Sequence, residues 1–210
     1  IPTTTGWTGT GTTATKSVTY DSTYGTLPAP TRTGYKFNGW QNNMLSENAS
    51  DWEVNGVYAE NGSDYVSNAR VRITNISLSA NANYVVGIQN STYKVVGVYF
   101  YNSSKTFLSR VAVSGNQLDF TTPANTAYAT VVVANQDLST AITPNIVTIA
   151  KPYLIKEALD VSSQITSSSS VVKAYNHTLV ANWTANTYTI KYAANGASGT
   201  MADQIGIKYD

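Results

Sequence analysis

Short runs of β-branched and aromatic residues, alternating in polarity and each closed by Gly, Asn, Ser or Pro, recur along the chain. Side chains two residues apart share one face of a strand, so runs of this kind bury one face and wet the other only as β-strands. Candidate strands fall at residues 17–20, 35–40, 71–78, 83–89, 95–101, 107–113, 117–120, 128–134, 146–155, 178–183 and 187–192. Asn61-Gly62, Ser103-Ser104, Ser114-Gly115-Asn116 and Thr122-Pro123 supply turn chemistry between them. One amphipathic helical pattern, around residues 155–160, is too short to be stable alone. The spacing predicts an all-β fold whose middle is an antiparallel sandwich of roughly eight strands.

Composition narrows the partners. Charged residues make up 12% of the 210 residues and the formal net charge is +1, which offers no basic patch for nucleic acid. No run of 18 or more apolar residues exists and no basic-then-apolar leader opens the chain, so neither membrane insertion nor an export signal is expected from these residues. With no cysteine there is no disulfide framework and no thiolate chemistry, and the compartment is not legible from this count.

Two styles of sequence alternate. Residues 17–40 read SVTYDSTYGTLPAPTRTGYKFNGW; HTLVANW arrives only at 177–183; and after Trp183 the first grammar restarts as ANTYTIKYAANGASGTMADQIGIKYD, where IGIKYD answers KSVTYD. The stretch from about 41 to 156 has no such echo. The TYG, PTRTGY.F.GW and HTLVANW elements resemble, in order, the Listeria/Bacteroides repeat, the internalin B-type B-repeat. This is a small β-grasp-like module carried in tandem on bacterial surface proteins. The departure is the long segment between GW and HTL, which the family fills with a short connection. It reads as a second domain inserted into the repeat. The expected organisation is therefore a tail or partial repeat at 1–16, an interrupted repeat at 17–40 plus 170–185, an inserted sandwich at 41–160, and the first half of a further repeat at 186–210. Residues 35–40 and 178–183 must then lie in one sheet, because the repeat closes around its insertion. Within the insert, YFYNSSKTFL, FTTPANTAYATVVV and the closing KPYL resemble jelly-roll modules of carbohydrate-binding type, of the kind attached to phage tail proteins and secreted glycan-active proteins.

Catalytic readings are weak. The one histidine, His177, opens the last repeat strand, where a packed or edge histidine is the plainer reading than a triad base. No carboxylate lies between Tyr65 and Leu118, so the central strands carry no acid pair for glycoside hydrolysis. Glu47, Asp51, Glu53, Glu60 and Asp64 crowd the entry to the insert. Glu60 and Asp64, near the ENGSD loop, are calcium candidates set against a solvated entry loop. No D.D.DG loop is present, so the solvated loop is the plainer reading and no cofactor is expected, a structural calcium being the alternative.

Aromatic rings are the stronger lead, since sugars stack their C–H faces on Tyr and Trp while amides and guanidinium groups bind the hydroxyls. The glycan-binding candidates are Tyr99, Tyr101, Tyr84, Tyr93 and Trp52, with Arg70, Arg72 and Gln89 as hydrogen-bonding neighbours. Alternation in VVGVYFY sets Val96, Val98 and Phe100 on one face and Gly97, Tyr99 and Tyr101 on the other, which points the two tyrosines outward if the valines face in. The alternative is that these rings cover a sheet. Trp40 and Trp183 read as structural aromatics of the repeat. The expected function is a non-catalytic, extracellular, glycan-binding or adhesion sandwich on a repeat stalk, with polysaccharide as partner. The alternative is a structural subunit of a surface filament or phage tail fibre, assembled head to tail by strand complementation between neighbouring copies.

Overall fold

The computed structural model describes residues 6–9, 13–54, 57–58, 61–157 and 161–209. The strands in chain order are β1 (Tyr35–Asn42), β2 (Glu53–Val54), β3 (Val57–Tyr58), β4 (Asp64–Tyr65), β5 (Arg70–Ser77), β6 (Asn83–Ile88) and β7 (Tyr93–Tyr101). They continue with β8 (Phe107–Ala112), β9 (Gln117–Thr121), β10 (Tyr128–Asn135), β11 (Pro152–Lys156), β12 (Leu179–Ala185), β13 (Thr187–Ile190) and β14 (Gln204–Lys208). One helical turn, α1 (Val147–Ala150), precedes β11. The chain is all-β, as its alternation predicts.

Two compact units form: one of Ile1–Trp40, Gln164–Val171 and Ala181–Asp210, the other of Gln41–Ser163 and Val172–Val180. The second is an antiparallel sandwich. Its five-stranded sheet runs β2-β5-β10-β7-β8 and its three-stranded sheet runs β11-β6-β9. Successive strands from β5 to β11 switch between the sheets except at the β7–β8 hairpin. The core lies between them: Val71, Ile73, Val98, Phe100, Val131 and Val133 from the larger sheet meet Tyr84, Val86, Ile88, Phe120 and Leu154 from the smaller. Burial of that apolar surface is the main term favouring the fold. A small hairpin, β3–β4, stands beside the five-stranded sheet as a sheet of its own.

Two buried amides hold the base of the sandwich. Asn43 Oδ1 accepts from the Leu45 and Leu154 amides at 3.0 Å each, and its Nδ2 donates to the Pro152 carbonyl at 2.9 Å. Gln41 Nε2 donates to the Lys156 carbonyl at 3.1 Å. Glu47 receives the Thr178 amide and hydroxyl at 2.6 and 2.8 Å, tying the return segment to the entry segment.

In the first unit β1 pairs with β12, so residues 35–40 share a sheet with 179–183, as expected for these two segments. Asn38 Nδ2 crosses that sheet to Asn182 Oδ1 at 2.7 Å and to Thr184 Oγ1 at 2.8 Å. Residues 164–171 lace the unit: Ile165 bridges Trp40, Ser170 bridges Thr23, and the Val171 carbonyl accepts from the Asp21 amide. The β13–β14 hairpin belongs to the same unit.

Two local expectations fail. Residues 17–20 form no strand, because the chain turns there: Ser22 N donates to Thr19 O and Asp21 sits at φ 62°. Residues 146–150 are helical instead of extended. Pro144 at the first turn starts the coil, and Lys151 at φ 48° ends it before β11. The helical pattern at 155–160 does not mark a helix over its described part, since Ile155 and Lys156 close β11.

Candidate functional site

The sandwich redistributes the residues expected to form one binding face. Tyr99 is 2% exposed and packs with Val132 in a small cluster on the outer side of the five-stranded sheet. Phe107 lies 6.4 Å from its ring and the Arg110 guanidinium carbon 5.8 Å above it. Phe107 is itself roofed by backbone, since a Cβ at Gly62 would sit 2.3 Å from its ring. Tyr101 is half-buried against the same Phe107, centroids 5.8 Å apart. The two tyrosines do point away from the sandwich core, but Tyr99 is covered and Tyr101 only partly meets solvent; a roof over the sheet cannot be read from the alternation of one strand.

That alternation also slips. Val132 pairs with Gly97 and Val133 with Val95, so Val96 is bulged out of register. Val95 and Val98 both face the core, while Val96 joins Tyr99 on the outer side, against the expected grouping of Val96 with Val98.

Tyr84 and Trp52 are core residues rather than exposed rings. Tyr84 is buried beside Phe120, centroids 6.0 Å apart, and its hydroxyl accepts from the Ser79 amide. Trp52 is buried and donates through Nε1 to the Ser46 carbonyl at 2.8 Å. Arg72 is held by Glu53 in an ion pair at 2.8 Å across the β2–β5 pairing, and Arg70 donates to Ser67 Oγ. Both project from the larger sheet, whereas Gln89 follows β6 of the smaller one and is exposed, so these three do not converge.

Tyr93 keeps an open setting. It packs on the core and lines a shallow groove of about 400 Å³ with Asn135, Thr140, Thr143, Ile142 and Ile146. Asp137 organises the adjoining loop: its carboxylate accepts from the Thr140 hydroxyl and from the Ser139 and Thr140 amides. These hydrogen bonds, the Thr140 hydroxyl first, hold its pKa down to about 2.

Tyr153, which the sequence reading passes over, lies across the outer face of the three-stranded sheet. It pairs with Gly87, which pairs in turn with Gln117, and Tyr153 Oη donates to Gln117 Oε1 at 2.9 Å. The signal for it was Gly87, a glycine in the middle of a strand.

Of the calcium candidates, Glu60 and the Asp64 side chain lie outside the described residues. The neighbouring acids are engaged singly, Glu47 by Thr178, Asp51 by Ser46 and Glu53 by Arg72. Among the described residues no group of three His, Cys, Asp or Glu could hold a metal ion. His177 Nδ1 lies 3.0 Å from the Tyr175 carbonyl.

The aromatics of the first unit pack as a set. Phe37 stands 5.6 Å from Trp40 and 5.3 Å from Trp183, and Trp40 Nε1 donates to the Pro28 carbonyl at 2.7 Å. Residues 6–80 match the Listeria-Bacteroides repeat domain. Repeats of this kind are typically found on extracellular surfaces, and the match points to a surface-associated protein. Among the described residues no helix is long and apolar enough to cross a membrane. Comparison with curated proteins and with solved structures gives no match.

The repeat's TRTGY turn has a visible use. Arg32 stacks on Tyr35, its guanidinium carbon 3.6 Å from the ring centroid, and Tyr209 meets the same ring edge-on at 5.8 Å. Gly34, at φ 76°, leaves the space that Tyr209 fills: a Cβ there would sit 2.1 Å from that ring. Asn186 N donates to Gly34 O and Tyr209 N to Asn186 O, so the β13–β14 hairpin is seated on this turn.

Proposed function

We propose that this is part of an extracellular surface protein in which a jelly-roll-like sandwich, inserted into a Listeria-Bacteroides repeat, is a non-catalytic glycan-binding module. The observation that carries the reading is the pairing of β1 with β12. The chain leaves on β1 and returns on its neighbour β12, which supports reading the sandwich as an insertion into the repeat. Glycan recognition is supported by half-buried tyrosines, Tyr93 and Tyr153, set among amides and hydroxyls with few charges. The test is a panel of soluble polysaccharides offered to the whole chain. Binding without product release supports the reading, and turnover or the absence of all binding overturns it.

A second reading, assembly with other copies, is favoured by the β13–β14 hairpin. Tyr188, Ile190, Tyr192, Ile205 and Ile207 are all exposed on it, Ile205 to 80%. Exposed apolar clusters of this kind mark contact surfaces. Within residues 1–16, Thr8 bridges Thr15, and Trp7 Nε1 donates to the Thr26 carbonyl of its own chain. Sedimentation velocity decides this reading, a concentration-independent monomer counting against it.

A further inference from the structure

We propose that the outer face of the three-stranded sheet, centred on Tyr153 and flanked by Gln117 and Asp119, binds a neutral polysaccharide. This rests on the glycan-binding reading above and assigns it a site.

The argument begins at Gly87. This glycine sits inside β6 and its φ is not in the left-handed region that glycine alone favours, so backbone conformation does not demand it. Space does. A Cβ on Gly87 would lie 2.4 Å from Tyr153 Oη and 2.5 Å from Cζ. The missing side chain lets the tyrosine lie along the sheet, from β11 across β6 to Gln117 on β9. Strand residues on an open face ordinarily stand off from it; here a half-buried ring is laid down and tethered by its hydroxyl.

Beside the ring lie groups suited to hydroxyls. Gln117 and Asp119 alternate on β9 and therefore share the face, both are exposed, and Gln117 Nε2 donates to Asp119 Oδ1 at 3.2 Å. In the adjoining row Asp119 pairs with the half-buried Val85, which extends the apolar floor. A pyranose with equatorial hydroxyls offers an apolar C–H face to the ring and hydroxyls at its rim to the amide and carboxylate. Because β9 is an edge strand, a polymer can run past it without meeting a further strand. Charge selects among sugars: in the set Tyr153, Gly87, Gln117, Val85 and Asp119 the single charged side chain is acidic. A uronic-acid polymer is therefore repelled and a neutral glucan or xylan is not.

The test is affinity electrophoresis of the full chain in gels containing soluble mixed-linkage β-glucan, xylan or polygalacturonate. Retardation is expected in β-glucan or xylan and not in polygalacturonate. Tyr153→Ala should weaken binding at least tenfold, and Tyr153→Phe, which keeps the ring and loses the tether, by only a few-fold. Gln117→Ala and Asp119→Asn, both at exposed positions, should each weaken it measurably, and they carry the test if Tyr153→Ala does not fold. Wild-type retardation in all these variants overturns this site while the glycan-binding reading stands. Retardation in polygalacturonate overturns the choice of a neutral ligand. No retardation in any polysaccharide overturns the site and that reading together.

Discussion

Asn43 Oδ1 accepts the Leu154 amide at 3.0 Å across 111 positions of sequence, while the Asn43 side-chain NH₂ reaches the Pro152 carbonyl. One buried amide thus joins the entrance of the sandwich to its last strand. Asn43→Ala leaves two amides and a carbonyl unsatisfied, each costing on the order of 1–3 kcal/mol when buried. A loss of about 3 kcal/mol in unfolding free energy is expected by urea denaturation. Asn43→Asp keeps the acceptor, loses the donor, and should fall between.

Tyr99→Ala should destabilise the sandwich by about 3 kcal/mol, the usual scale for emptying a buried aromatic site. Tyr99→Phe keeps the packing with Val132, Phe107 and Arg110 and should cost far less. Thermal unfolding distinguishes packing from an exposed binding role, in which Tyr99→Ala would leave the midpoint unchanged.

Asp137 carries an acid-side prediction. Its folded pKa of about 2 lies below the ordinary carboxylate value. Its contribution is therefore present above the unfolded pKa, near 4, and is lost as pH falls through about 2. Full solvent exposure makes the effect small. The side-chain carboxyl resonance should titrate near 2 in the wild type and move toward 4 in Thr140→Ala, followed by NMR.

Gly34→Ala should unseat the β13–β14 hairpin, since the new methyl occupies the space of the Tyr209 ring and the backbone sits at φ 76°. A two-stranded hairpin is marginal without support. Faster amide exchange at Ile207 and Lys208 is expected, with the sandwich midpoint unmoved. Tyr209→Ala should reproduce the exchange effect without backbone strain.

Much of the architecture was legible in the chain. Alternation located most strands of the sandwich to within a residue or two, because period-2 burial is a local property of each strand. The resemblance of residues 17–40 and 177–183 to parts of one repeat predicted the β1–β12 pairing, because a repeat that closes around an insertion must bring those strands into one sheet. The Ser-rich stretch at 164–171 gave no such sign, since it lines the first unit through backbone bridges that any sequence can make.

The candidate site was legible only as a list of residue types. Sequence determined that tyrosines, amides and few charges would be present, and that the segment between 65 and 118 would hold no carboxylate. Tertiary structure decided which rings meet water. Tyr99 was covered by Phe107 of the next strand, itself backed by the chain at Gly62, contacts that no single strand's pattern encodes, while Tyr153 was laid across Gly87 because register placed a glycine beside it. Exposure depends on what packs over a face, and strands report only which face they have.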